Sequence, residues 1–171
     1  MATGRDNQLT KQIGEYLVAC ELARRGSIVA TFSGNVPDFD LLATDTEGKS
    51  IPIQVKTIRG KGQWQFSINK FIEVRIEKEK QILGKKLIPQ IPHLLCVFVV
   101  VNKYGEDRFF ILEWEELRDA AVHSYKAWLR KHGGRRPNKP DSLHCSVDPQ
   151  QLVEFENKWD KIMEKLKTVS V

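Results

Sequence analysis

The order of apolar patterns along the chain predicts an α/β (α+β) domain, with one mixed central β-sheet flanked by helices. Three observations predict it. A dense apolar segment at residues 8–25 is closed by Gly26, as a buried helix would be. Short β-branched runs then alternate with Gly- and Asp-containing turns as far as residue 58. An almost unbroken apolar run, LLCVFVVV at residues 94–101, has the composition of a central strand covered on both faces. Helices before and after such strands, in 171 residues of 41% hydrophobic content, fit one layered domain around one core. The core is expected at about residues 8–112 and a C-terminal helical part at about 113–171.

The elements follow in order. Residues 8–25 form the first helix. Residues 27–33 (SIVATFS) read as a strand, 34–38 as a turn and 39–44 as a second strand. Thr46, Glu47, Gly48 and Lys49 make a hairpin turn, because Gly48 tolerates the positive φ such turns need. Residues 51–58 return as the third strand, and RGKG at 59–62 is a basic loop. Residues 64–68 and the charged segment containing Glu73, Arg75, Glu77, Lys78, Glu79 and Lys80 carry no decisive periodicity. The run at 94–101 turns at Tyr104-Gly105-Glu106-Asp107 into 108–112, so these two strands should pair as a hairpin. Residues 115–131 read as a helix with Leu117, Ala121, Ser124 and Trp128 along one side, ended by His132-Gly133-Gly134. A basic loop, KHGGRRPNKP, follows at 131–140, and a last helix is expected from about Pro149 on the stripe Leu152, Phe155, Trp159, Ile162 and Leu166. Trp114, Trp128 and Trp159 lie within or beside helical stripes and read as core.

Composition excludes some classes. No apolar stretch is long enough to span a bilayer, and MATGRDNQLTK has no apolar region of the secretory kind, so a soluble, cytoplasmic protein without a membrane partner is expected. Cys20, Cys96 and Cys145 form no CxxC pair; Cys20 and Cys96 fall in apolar surroundings, and no disulfide framework is expected. The four histidines show neither HExxH nor zinc-finger spacing, and no Gly-rich phosphate loop occurs, so no small-molecule cofactor is expected. The formal charge of +5 suits a polyanion partner without requiring one.

Three polar signals stand out against the apolar pattern. Glu15 shares a helix face with Val18, Ala19 and Leu22, where a carboxylate has to offset its desolvation. Near the start of a helix, it could instead reach solvent and favour the positive end of the dipole. In Pro37-Asp38-Phe39-Asp40-Leu41-Leu42, Asp38 is a natural turn residue, but Asp40 lies one step into a strand, where an acid weakens β-propensity. In Ile51-Pro52-Ile53-Gln54-Val55-Lys56-Thr57, Gln54 and Lys56 share one face and Ile53 and Val55 the other. A hairpin near Gly48 returns Gln54 to the neighbourhood of Asp40. One register sets the two directly opposite, and a one-residue slip puts Asp40 on the wrong face. Separately, each signal is compatible with a solvated surface. Together they would gather Glu15, Asp40, Gln54 and the Val55 carbonyl at one end of the sheet, where a hard divalent cation could bind and Lys56 could orient water or neutralise charge.

Gly14-Glu15, Asp40-Leu41-Leu42-Ala43 and Gln54-Val55-Lys56-Thr57 resemble the core motifs of the PD-(D/E)XK nucleases. The likeness is to the archaeal Holliday-junction resolvase type and to intron-associated endonucleases with Gln at the motif's acidic position. The resemblance implies a restriction-endonuclease-like core and a Mg²⁺ (or Mn²⁺) dependent DNA endonuclease. It implies Asp40 and Gln54 as metal ligands, Lys56 as the catalytic lysine and Glu15 as the assisting acid. Asp38 is the competing acid if the literal Pro37-Asp38 is aligned instead. The resemblance covers residues 12–57 closely, and the strand pair at 94–112 only loosely. Gln54 departs from an acidic ligand, which leaves a nuclease-fold module that binds nucleic acid or assembles with a partner without cutting as the alternative. A homodimer is expected because cutting two strands calls for two sites. Arg59 and Lys61, with Arg135, Arg136 and Lys139, are the expected contacts to DNA phosphates.

Overall fold

A computed structural model of the chain describes residues 4–32 and 38–169. Helix α1 (Gly4–Arg24) leads into β1 (Ile28–Thr31), β2 (Leu41–Thr44) and β3 (Ser50–Arg59). A crossover region carries β4 (Trp64–Ser67), a 3₁₀ turn at Ile68–Lys70 and the hairpin of β5 (Ile72–Glu77) and β6 (Lys80–Lys86). The chain then runs through β7 (Leu95–Val101), β8 (Arg108–Glu113), α2 (Trp114–Lys131), β9 (His144–Val147), a 3₁₀ segment at Pro149–Phe155 and α3 (Asp160–Thr168).

The central sheet has five strands in the order β1-β2-β3-β7-β8. All neighbours are antiparallel except β3 and β7, which run parallel, so the sheet is mixed as expected. The run at β7 is central and buried along nearly its whole length. Its alternation explains why no polar residue interrupts it: Val97 and Val99 join Val18, Leu22, Ile53 and Val55 in the core beneath α1 and α3. Cys96, Phe98 and Val100 join Trp64, Phe110, Leu117 and Tyr125 in the core beneath α2. Each face of the strand belongs to a different apolar layer.

The hairpin between β2 and β3 is fixed by Asp45, whose carboxylate accepts from the backbone N–H groups of Glu47 and Lys49 at 2.9 Å each. Gly48 sits at φ 86, where a Cβ would be strained. Leu41 pairs with Ile53 and Thr44 with Ser50, so the register continued by one residue sets Asp40 opposite Gln54. Gly26, at φ 89, closes α1.

Several expectations need correction. Helix α1 begins at Gly4 rather than residue 8, and the strand expected at 27–33 spans Ile28–Thr31. Ser33 and the turn residues 34–37 lie outside the described residues. The strand expected from residue 39 begins at Leu41, because Asp38, at φ 75, and Asp40 form a bend. The unassigned charged segment is the β5–β6 hairpin, turned by Lys78 and Glu79 at φ 47 and 65. In α2 the buried line is Leu117, Ala121, Val122, Tyr125 and Leu129, so Ser124 and Trp128 lie at its margin. The single C-terminal helix is broken at Asn157, at φ 57, into a 3₁₀ segment and α3, and β9 precedes it. Within that stripe, Leu152, Trp159, Ile162 and Leu166 are still buried. Trp114 and Trp128 are only partly covered, and Cys20 is exposed while Cys96 and Cys145 are buried. Cys20 falls on the face of α1 away from Val18 and Leu22.

Candidate active site

The pairing of β2 with β3 stops at Leu41 and Ile53, whereas β3 continues to Arg59. This uneven end makes the site. The Asp40 N–H donates to the Ile53 carbonyl at 2.8 Å, and the Asp40 carboxylate then takes the place of the next ladder partner by accepting from the Val55 N–H at 2.8 Å. The side chain that weakened the strand pattern therefore replaces a backbone acceptor at its frayed end. Because N–H and C=O of one strand residue point the same way, the Val55 carbonyl also faces this open edge.

Helix α1 crosses the same end. Its approach is set by Gly14, where a Cβ would lie 1.8 Å from the Thr57 hydroxyl oxygen. That hydroxyl is buried without a hydrogen-bond partner. The close approach brings one turn of α1 against the β3 edge, with Glu15 beside Asp40. Between the two carboxylates lies the Lys11 ammonium, 3.4 Å from Glu15 and 3.1 Å from Asp40. The Asp40 side chain is 14% exposed and that of Glu15 22%. Burial, reinforced by repulsion from Asp40 and opposed by Lys11, holds the Glu15 carboxyl above its usual range. The pairing with Asp40 and Glu15 outweighs burial at Lys11 and pushes its ammonium up.

Gln54 and Lys56 project on the sheet face opposite α1. The Gln54 amide donates to the Asp38 carbonyl at 3.2 Å, which directs its own oxygen away from that contact. Lys56 is pulled below the ordinary lysine range by burial first, then by repulsion from Lys70 and Lys11, with Asp40 opposing. The Trp64 indole N–H donates to the Lys56 carbonyl at 3.0 Å and fixes the strand at this point. A cleft of about 300 Å³ is lined by Lys11, Asp38, Asp40, Gln54, Val55 and Lys56, among others.

Asp40, Gln54, Val55 and Lys56 thus line one cleft together with Asp38, and Glu15 adjoins it through Lys11 without lining it. The donors at the open edge are all oxygens: two carboxylates, an amide and a backbone carbonyl. Such a set suits a hard divalent cation, and a cationic group, the Lys11 ammonium, is already accommodated between the carboxylates. No group of three or more His, Cys, Asp or Glu side chains suited to hold a metal occurs among the described residues.

The expected phosphate contacts are more scattered. Arg59 donates to the Thr10 hydroxyl at 2.8 Å, on the α1 side of the site, and Lys61 is exposed just beyond. Arg135 pairs with Glu79 at 2.9 Å. Arg136 lies over the rings of Trp128 and Tyr125, with its carbon 4.9 and 5.8 Å from their centroids, and donates to the His144 carbonyl. Sequence reading missed Lys11 and Lys70. Lys11 stands four residues before Glu15 on one helix face, a spacing that could have revealed it. Lys70 sits on a 3₁₀ turn that no sequence pattern announced.

No family model and no curated protein matches the chain. Among solved structures, that of a bacterial homing endonuclease, I-Ssp6803I, matches with a TM-score of 0.52 and 13% sequence identity, over 92% of this chain and 93% of that one. The likeness is one of fold: a nuclease-like arrangement of a mixed sheet and flanking helices. No described helix is long and apolar enough to cross a membrane.

Proposed function

We propose that the chain is a metal-dependent DNA endonuclease of the PD-(D/E)XK kind, hydrolysing phosphodiester bonds as one domain and working as a homodimer. The observation that carries this reading is the placement of Asp40 at the frayed end of β2, with Glu15 across Lys11 and the Gln54-Val55-Lys56 strand beside it. The likeness of fold to a homing endonuclease supports it.

In this reading Asp40, Gln54, the Val55 carbonyl and Glu15 hold Mg²⁺ or Mn²⁺. The bound ion would lower the pKa of its water and stabilise charge on the phosphoryl oxygens. Lys56 lies on the cleft wall, where it orients the attacking water or neutralises the negative charge that grows on the phosphoryl group. As water adds to phosphorus, its proton passes to solvent or to a cleft base. The bond to the leaving oxygen breaks and that oxygen is protonated. Arg59 and Lys61 hold the strand by its phosphates, with Arg135 and Lys139 in a second basic segment where Arg136 is instead held over Trp128 and Tyr125.

Gln54 favours a second reading, a module that keeps the fold and binds nucleic acid without cutting, because an amide binds a cation less strongly than a carboxylate. Incubating the protein with duplex, junction and single-stranded DNA decides between them. Cleavage with Mg²⁺ or Mn²⁺ that EDTA abolishes is the expected result, and binding without cleavage under every condition selects the module. Calorimetry assigns the ligand: Asp40→Asn should weaken Mn²⁺ binding far more than Asp38→Asn, and the reverse order would move the site to Asp38.

A further inference from the structure

A second and larger cleft opens on the same wall as the candidate active site. It measures about 390 Å³ and shares Asp38, Gln54 and Lys56 with the smaller one, so the two are continuous. Its floor is apolar and largely aromatic: Phe66, Phe71, Leu94, Trp114 and Leu117. The Phe71 and Trp114 rings are 5.7 Å apart, and Trp114 keeps part of its surface open. Its polar lining is Asp38, Gln54 and Lys56, shared with the smaller cleft, together with Asn69, Lys70 and Gln90. A cleft of this size, with aromatic side chains on its floor and several polar groups around them, has room for a small planar ligand.

The rim carries a further sign. Ile88 lines this cleft, yet it is 80% exposed. It stands in a proline-bounded segment, Ile88-Pro89-Gln90-Ile91-Pro92, that hangs between β6 and β7. An isoleucine held out in water beside an aromatic cleft contributes nothing to the core. In DNA-distorting proteins such a side chain is inserted between base steps as a wedge.

Resting on the endonuclease reading above, we propose that this cleft receives one unstacked nucleobase of the DNA strand lying across Lys56, and that Ile88 fills the gap left in the stack. Lys70 and Lys56 face the backbone on either side of the entry, and Phe66 and Trp114 give the base an apolar, sequence-tolerant surface. Extruding a base from a paired duplex is costly, and least so where the base is already unpaired. The favoured substrate therefore carries an unpaired nucleotide beside the cleavage position, as in a mismatch, flap or bulge.

The test is a binding measurement that needs no catalysis. Fluorescence anisotropy, with Ca²⁺ replacing Mg²⁺, compares duplexes that differ at one position: fully paired, one unpaired nucleotide, or an abasic residue in the same bulge. The unpaired nucleotide should bind roughly tenfold more tightly than the abasic residue, because only it can fill the cleft. Ile88→Ala and Gln90→Trp change exposed positions and should keep the fold. The first should reduce the preference for the bulged over the paired duplex. The second should block the cleft and bring the ratio of unpaired to abasic affinity near one. Equal affinity of wild-type protein for the unpaired and abasic duplexes would overturn the proposal while leaving the endonuclease reading intact. Failure to bind any of the three duplexes would overturn both.

Discussion

The frayed end of the β2–β3 hairpin and the basic loop at residues 131–140 are both polar in sequence, and they meet opposite fates in the fold. At the hairpin, Lys11, Asp40, Gln54 and Lys56 come from three elements and converge on an open cleft, with Glu15 paired to Lys11 beside it. In the loop, Arg135 is drawn to Glu79, and Arg136 is laid over Trp128 and Tyr125. The loop itself is anchored by Gln81, whose buried amide donates to the Pro140 and Ser142 carbonyls. Charge in a sequence thus becomes available for chemistry only where the backbone leaves it facing open space. Uneven strand lengths do this at Asp40, whereas aromatic neighbours absorb the charge at Arg136.

The largest effect that would sharpen this contrast is on catalysis. Lys56→Ala should lower the cleavage rate by about 100-fold or more, in the range typical for a positioned catalytic group, while circular dichroism and thermal midpoint stay close to wild type. Retained cleavage would return Lys56 to an ordinary partly buried lysine. Next comes the contact that brings the helix to the site. Gly14→Ala must displace Thr57 or the helix, and should cost about 1–3 kcal/mol in chemical denaturation. Thr57→Ala alone should be nearly neutral, since the hydroxyl it removes is buried and unpartnered. The double variant should recover part of the loss.

A smaller effect probes the basic loop. Arg135 can exchange its exposed partner Glu79 for a phosphate, and Lys139 is exposed, but Arg136 would have to leave two aromatic rings. Replacing Arg135 and Lys139 by Ala should flatten the dependence of log K on log salt by up to about two units, at about 0.9 per phosphate contact. Arg136→Ala should leave the slope unchanged and lower stability by about 1 kcal/mol. A slope change from Arg136→Ala would break the distinction between the two regions.

The smallest effect concerns a charge pair that belongs to neither region and only ties the C-terminal segment to the sheet. Arg108 donates two hydrogen bonds of 2.7 Å to Glu156 and holds its carboxyl below the usual range. A carboxylate depressed in this way contributes stability above its unfolded pKa, and the contribution is lost as pH falls through the lowered folded value. Glu156→Gln should cost about 1 kcal/mol or less at neutral pH, because the pair is partly exposed, and should flatten the loss of stability in acid. An unaltered acid limb would show that the pair contributes nothing measurable.

Much of this architecture was legible in the sequence because local rules decide it. Gly26 and Gly48 sit where positive φ ends a helix and turns a hairpin, and the run at β7 has the composition expected of a strand between two apolar layers. The alternation in β3 placed Gln54 and Lys56 on one face, and the side chains of Glu15 and Asp40 stood out as acids in apolar surroundings. What remained undecided depends on distance across the fold. Register decided whether Asp40 or its neighbours met Gln54, and a two-residue period cannot fix a register by itself. The charged β5–β6 hairpin lacks alternation because most of both strands is exposed, so its pairing left no apolar trace. Lys11 joined the site, and the arginines of the basic loop met their internal partners, only through packing between elements far apart in the chain. The sequence alone determined which residues could do chemistry, and tertiary structure alone decided which of them face one another, because burial and the open end of a strand are properties of the assembled sheet.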